Sequence, residues 1–462
     1  MARTRNDRLA AVISETGWTQ AQVAARFVKV AAESGAHELT HIARSHISLW
    51  VLGAIPSGRA PRILCETLSR GLARPVTLAD IGLAAASPAT TQPLGWDADT
   101  LTALHELGGD DMDMHRRHIL SAAAYSVAGL ALPDTAWWDT TAAHARQRPA
   151  GAGRLVGRSD VDAVRELLAF FSLRDQRRGG GHGRLAVVAY LHTDVAQCLS
   201  GRYPNETVQR EMLSVVGELT YLSGWMGFDA CEHTIAQQYF TLATKLAAEA
   251  DDPTLAAHIL RAMAHQAVYL GHHQQALDLA EASVERHRYT LASPRERALL
   301  GVVHGRALAA AGRKKEALAA LQQADRDLDA ARPGDTEPGR VWFFQEASLS
   351  HETACALRDL GDLKGAEAEF VRSVRTRKAT AFTRTHAVTL GYLGAVQAQQ
   401  GSVEAACATW SRALDAMDGI QSGRARDTVT TMRRVLSPFR NRGIPAVAEV
   451  DARAAKILRP VA

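Results

Sequence analysis

The sequence predicts an all-α protein: a short head of four helices followed by a long solenoid of paired helices. Two observations carry this expectation. Aromatic residues are only 6% of the chain, Ala is abundant and β-branched runs are few, which favours helices packed through small side chains over sheets. Beyond residue 156, four segments repeat in register around a glycine. The 462 residues have room for two or three domains, and we read them as 1–84, a connecting region 85–155, and 156–462.

In the head, Leu9, Val12 and Ile13 have the i, i+3, i+4 spacing of an amphipathic helix that stops near Gly17. Thr19 is the natural N-cap of a second helix, Gln20 to about Ala32, that turns Val23, Ala24 and Phe27 inward. A third short helix is expected from Ser45, itself an N-cap candidate, with Ile47 and Trp50 buried; Gly53 and Pro56 end it. Pro61 opens a fourth helix through Ile63, Leu64 and Leu68 to Gly71. Residues 1–80 hold ten Lys/Arg against six Asp/Glu, which is the whole chain's net +4, so the rest is neutral. A basic head on a neutral body suits nucleic-acid binding by the head.

The stretches GWTQAQVAARF, RSHISLWVLGAIPS and LSRGLARPVTLADIG together resemble the XRE (Cro-type) helix-turn-helix domain. The resemblance departs at about Val30 to Ala43, where some dozen extra residues replace the usual tight turn. It implies that the third helix enters the major groove of double-stranded DNA, with Arg44, Ser45, His46, Ser48 and Leu49 facing the bases. It implies phosphate contacts from Thr19 and Gln20 at the start of the second helix, and from Arg59 and Arg62 around the fourth.

The insertion contains His37-Glu38-Leu39-Thr40-His41, an HExxH motif of the kind that binds zinc when both histidines share a helix face. No third ligand stands at a recognised spacing, and His46 would fall on the opposite face of a continuing helix. No metal or cofactor is therefore expected. The insertion would place His37 or His41 near a phosphate, where protonation at lower pH would strengthen binding. A twin-arginine lookalike, Arg116-Arg117 followed by an Ala-rich stretch to Pro133, is read as a buried structural helix rather than an export signal or membrane span. The five cysteines are scattered with no CxxC pair, so a reducing cytoplasm is the expected location and no disulfide framework is expected.

The hydrophilic stretches Ala84 to Pro93 and Arg146 to Arg154 read as linkers, and Trp96 to Trp138 between them as helical. In the body, Gly271, Gly312, Gly361 and Gly401 align without gaps. Five residues later stands Ala276, Ala317, Ala366 or Ala406; nine later, Ala280, Leu321, Phe370 or Trp410. Seven before each comes a small residue: Ala264, Gly305, Ala354, Gly394. An earlier copy has Gly224, Ala236 and Phe240, with Cys231 at the turn. The pattern resembles tetratricopeptide repeats over about residues 205–420, with residues 422–458 as a cap. The anchors are 41, 49 and 40 residues apart, which requires extended helices or loops. The apolar run Val341 to Ala347 would begin a repeat's first helix, and His272-His273 would sit solvated in a turn.

This resemblance implies a concave groove lined by Glu218, Tyr221, Trp225, His258, Arg261, His265, Tyr269, Arg306, His351 and Arg358, a set suited to a peptide or acidic ligand. An XRE-like head with such a body is similar to actinobacterial regulators and to peptide-pheromone receptor regulators. It implies a homodimeric, sequence-specific transcription regulator that senses a peptide or protein. The alternative is a protein–protein adaptor whose head no longer binds DNA. No nucleophile–base pair, phosphate loop or carboxylate dyad stands out, so the chain does not read as an enzyme.

Overall fold

The structure is a computed structural model describing residues 5–34, 36–72, 74, 76–83, 94–116, 125–147, 153–440 and 442–459. The first linker, Ala84 to Pro93, and residues 117–124 of the twin-arginine stretch, most of the Ala-rich segment expected as a buried helix, lie outside these. Among the described residues every regular element is a helix, apart from one isolated bridge between Leu155 and Arg202. None of these helices is long and apolar enough to cross a membrane.

The head contains α1 (Asp7–Glu15), α2 (Gln20–Glu33), α3 (Arg44–Val51) and α4 (Ala60–Leu72). Asn6 caps α1 by accepting from Leu9 N–H at 3.0 Å and ties it to the end of the head by donating to the Ile81 carbonyl at 2.9 Å. Thr19 caps α2 reciprocally with Gln22, which satisfies two otherwise orphaned N–H groups. α3 begins one residue before the sequence expectation. Its cap is Ala43, already extended at φ −121°, and His46 Nδ1 accepts from the Ala43 N–H at 3.1 Å. Ser45 therefore lies in the first turn and is not the cap. Leu9, Val23, Phe27, Ile47, Leu64 and Leu68 are fully buried and form a core confined to the head.

Because α2 runs to Glu33, the insertion is shorter than the sequence suggests. Ala36 and Ile42 anchor it in the core. Residues His37–Leu39 form a single 3₁₀ turn, and Thr40 and His41 continue as turn. The HExxH letters thus do not form the α-helix on which two histidines four apart would share a face.

The connecting helices α5 (Thr100–Arg116) and α6 (Thr135–Gln147) pack on the body. Leu104 and Leu107 join the core of α7 (Arg158–Arg178) and α8 (Arg184–Tyr190), and Arg184 pairs with the buried Asp111. A π-type turn, Leu191–Val195, leads from α8 into α9 (Ala196–Leu199).

The body is a tetratricopeptide-like α-solenoid. Its helix pairs are α10 (Glu206–Asp229) with α11 (His233–Glu249), α12 (Pro253–Leu270) with α13 (His273–Ser283), and, after the short α14 (Arg286–Leu291), α15 (Pro294–Ala310) with α16 (Lys314–Ala330). Then come α17 (Glu346–Asp359) with α18 (Leu363–Thr376), α19 (Thr383–Gln399) with α20 (Val403–Ala416), and α21 (Gly423–Leu436) with α22 (Pro445–Leu458). The four anchor glycines all sit at the turns with φ between 78° and 86°, a conformation costly for a residue with a Cβ. Cys231 takes the same left-handed turn at φ 63°, so the first copy keeps the geometry without the glycine.

At three of the turns a glycine seven before the anchor faces a large residue nine after it. A Cβ on Gly224 would lie 2.7 Å from Phe240, and one on Gly305 2.9 Å from Leu321. The helix pairs therefore close by small-against-large contact. α14 accounts for part of the long first spacing, and the loop between α16 and α17 for the longest.

That loop corrects one expectation. Val341 and Phe344 are buried, but they belong to a 3₁₀ turn and loop, because Gln345 caps a helix that starts only at Glu346.

Candidate functional site

Two regions carry the residues singled out by sequence. On the head, α3 leaves Arg44, Ser45 and Leu49 exposed and His46 and Ser48 half-buried, while Ile47 and Trp50 hold the opposite face in the core. Thr19 is exposed at the N-terminus of α2, with Gln20 half-buried beside it. His41 is exposed, its ring 5.6 Å from that of His46; the His37 side chain lies outside the described residues. Arg62 is half-buried.

Arg59 departs from expectation. It is 9% exposed, its guanidinium bonds the Ser34 carbonyl, and it lies 3.7 Å from Glu38. Its charge is spent on pinning the insertion, so in this conformation it offers nothing to a phosphate.

The other face of the head meets the body. Arg70 on α4 pairs with Glu33 at 2.6 Å and Glu66 at 2.8 Å, and donates to the Tyr125 carbonyl. Glu66 accepts from Val127 N–H at 2.9 Å. His272, expected to be solvated, instead stacks on fully buried Tyr125 and lies 3.4 Å from Glu33. Burial would raise the Glu33 carboxyl, but His272 and Arg70 outweigh it and hold it below the usual range. One repeat turn is thus wired to the C-terminus of α2, the helix that precedes the insertion and α3.

Inside the solenoid, the ten expected groove residues do lie on facing first helices, but they are mostly packed against one another. His258, Arg261, His265, Arg306 and His351 are less than 5% exposed. Arg261 donates to Tyr221 Oη at 3.0 Å and lies 2.9 Å from His258 Nε2. Arg306 binds Glu352 at 2.6 Å and reaches His265 Nε2 at 3.3 Å. His351 meets Thr389 Oγ1 at 2.9 Å and stacks on Tyr392. Arg358 pairs with Asp359 at 2.7 Å, and Tyr269 Oη donates to Asp427.

Burial drives His258, His265 and His351 well below the ordinary imidazole value, and the adjoining arginines push the same way. They are neutral near pH 7, which lets their ring nitrogens accept from guanidinium N–H groups. Glu352 goes the other way. Burial would raise it, yet the Arg306 guanidinium outweighs burial and pulls it down to about 2.

Two cavities open along this inner surface. The larger, about 530 Å³, lies between α7 and α10; Glu218, Tyr221 and Trp225 line it, with Asp252 and Thr254 at the start of α12. The smaller, about 70 Å³, is lined by Arg261, His265, His351, Glu352, Arg377, Arg384 and Arg424. Gln176, Trp225 and Phe343 belong to both walls.

Several residues that shape these cavities were not flagged by sequence. α7 bridges α10 and α19, and its Asp175 sets a carboxylate 3.1 Å from Arg384, which also holds Asp229 at 2.8 Å. Burial pushes Asp175 up to about 6 despite the Arg384 charge. The loop between α16 and α17 inserts Arg340 between Glu296 (2.7 Å) and Glu218 (3.1 Å), and Trp342 Nε1 donates to Ser172 on α7 at 3.0 Å. Nothing in local periodicity marks these residues, since each partner lies at least 44 positions away. Only the arginine immediately before the apolar run from Val341 offered a local hint. The resulting site supplies polar recognition around an aromatic wall.

Comparison with known proteins adds a limited frame. Residues 9–84 match the family described as SP15 N-terminal domain. No curated protein matches the chain. Among solved structures, a Rap protein in complex with competence and sporulation factor is similar over 78% of this chain and 89% of its own, at 13% identity and a TM-score of 0.39. A superposition that loose transfers no function, and the solenoid assignment rests on the helix pairs themselves.

Proposed function

We propose that the chain is a DNA-binding regulator whose solenoid holds a peptide or protein-derived ligand in its inner channel. The observation that carries this reading is the division of the head. α3 presents Arg44 and Ser45 to solvent, while Glu33, Glu66 and Arg70 fasten the other side of the same small core to a repeat turn and to Tyr125. A ligand that shifts α12 or α13 would act on that joint, so occupancy of the channel and the pose of α3 are linked through contiguous contacts. Homodimerisation through the body would place two heads on a two-part operator.

Selection from fragmented genomic DNA tests this. The expected result is an enriched sequence with a repeated half-site and salt-sensitive affinity, and Arg44→Ala should flatten sequence preference more than it weakens bulk binding. A selection that enriches nothing would overturn the reading.

One observation favours the adaptor reading. Leu49, Leu52 and Ile55 are 46%, 54% and 82% exposed and form an apolar strip on and after α3. Such a strip suits a protein partner. On that reading, Leu52→Asp with Ile55→Asp would abolish partner capture, and no DNA sequence would be enriched by the parent.

A further inference from the structure

We infer that the small cavity at the inner end of the channel is an oxyanion pocket, in which Arg261, Arg377 and Arg424 hold a carboxylate or phosphate group of the ligand. The inference deepens the reading of the solenoid as a ligand-binding body and rests on it, but not on DNA binding. The three guanidiniums are 2%, 8% and 7% exposed. Among the described residues none of them lies within ion-pair distance of a carboxylate, and each has a buried Nε with no hydrogen-bond partner. The partners they do have are neutral. Arg261 bonds Tyr221 and His258, Arg377 bonds the Ala347 carbonyl and Ser373, and Arg424 lies over the rings of Phe228 and Tyr269.

Buried charge without a counter-charge is among the costliest arrangements in a fold, and three instances around one void call for an anion. The carboxylates at the same wall are already committed. Asp229 binds Arg384, and Glu352 binds Arg306. Burial also lowers the Arg377 guanidinium to about 10, as expected where no carboxylate touches it.

Size agrees with either group. A void of about 70 Å³ has room for a planar carboxylate or a phosphate. Its walls at Gln176, Trp225 and Phe343 continue into the 530 Å³ cavity, so an anionic end can seat here while the apolar body of the same molecule lies against the Trp225 and Phe343 rings. Guanidinium forks suit either oxyanion.

The experiment is thermal unfolding and calorimetric titration of the full chain with sodium phosphate and, separately, sodium acetate, against sodium chloride at equal ionic strength. At 10 mM, one or both anions should raise the melting temperature by about 2 °C or more relative to chloride. Arg424→Gln and Arg377→Gln should each abolish that rise, and Arg326→Gln, on the exposed face of α16, should retain it. In chloride, Arg377→Gln should melt no lower than the parent, because it removes a buried charge that no carboxylate touches; a purely structural arginine would give a lower melting temperature. A response to phosphate alone assigns a phosphorylated ligand, and a response to acetate assigns a carboxylate. Absence of any anion-specific rise, or an equal rise in both pocket variants, overturns the pocket. A failed DNA selection alongside an intact anion response would remove the regulator and leave the pocket standing.

Discussion

The head and the body bury opposite kinds of chemistry. In the head, the core is apolar, and the residues expected to meet DNA stand outside it on α3 and at the α2 N-terminus. Its buried polar side chains are concentrated on α4 and at the joint with the body. In the body, Asp175, Asp229, Glu296, Arg306 and Arg384 are all under 5% exposed and sit in ion pairs along the inner channel. The difference teaches where function and stability can be separated. On the head a functional side chain can be removed without disturbing the fold. In the channel most buried charges are paired with one another, so removing one leaves its partner desolvated and unbalanced.

The largest effect should come from unbalancing the channel. Arg306→Met removes the one guanidinium in ion-pair contact with Glu352 among the described residues, and should cost about 3–5 kcal/mol in denaturant unfolding. A loss below 1 kcal/mol would break the comparison, since it would mean that water already reaches Glu352.

Acid should act next, and on the body. His258, His265 and His351 remain neutral when folded, whereas the unfolded chain takes up their protons near pH 6.5. Below that pH the unfolded state binds more protons, so stability falls by up to about 1.4 kcal/mol per pH unit for each histidine. Glu352 adds a later loss as pH falls from its ordinary value of 4.5 toward about 2. Melting temperatures from pH 7.5 to 4.5 should therefore decline, and His351→Asn should make the decline shallower.

The turns offer a smaller and cleaner contrast. A Cβ on Gly361 meets nothing within 4 Å, so Gly361→Ala isolates the left-handed backbone and should cost about 1 kcal/mol. Gly305 lies inside α15 with ordinary helical backbone, so Gly305→Ala isolates the other half of the pattern, the 2.9 Å approach of its Cβ to Leu321. Smallest of all, Arg44→Ala should change unfolding by less than about 0.5 kcal/mol, because Arg44 is exposed on the face of α3 turned away from the core.

The helix pairs were legible because their determinants are local and repeated. A left-handed turn position, glycine in four copies, has a small residue seven before it, and nine after it a large residue in every copy but that of Gly271, where Ala280 stands. Even Cys231 was placed at its turn by register alone, although its φ of 63° could not be guessed from its chemistry. Capping at Thr19 was equally local. The start of α3 was missed because His46, rather than Ser45, supplies the capping group to Ala43. The apolar run at Val341 misled for a related reason: burial in a loop and burial on a helix leave the same letters.

Sequence by itself therefore determined the all-α class, the register of the repeats and the identity of the inward-facing first helices. Only the tertiary structure decided what fills the channel. α7 and the loop carrying Arg340 enter from outside the repeat pattern, and they convert an expected open groove into two cavities. It also decided which arginines are paired and which are not, because a guanidinium's counter-charge here comes from residues tens to hundreds of positions away. The physical reason is that helix-pair geometry is set by short-range sterics, repeated and readable, whereas the balance of buried charge is a property of the closed solenoid.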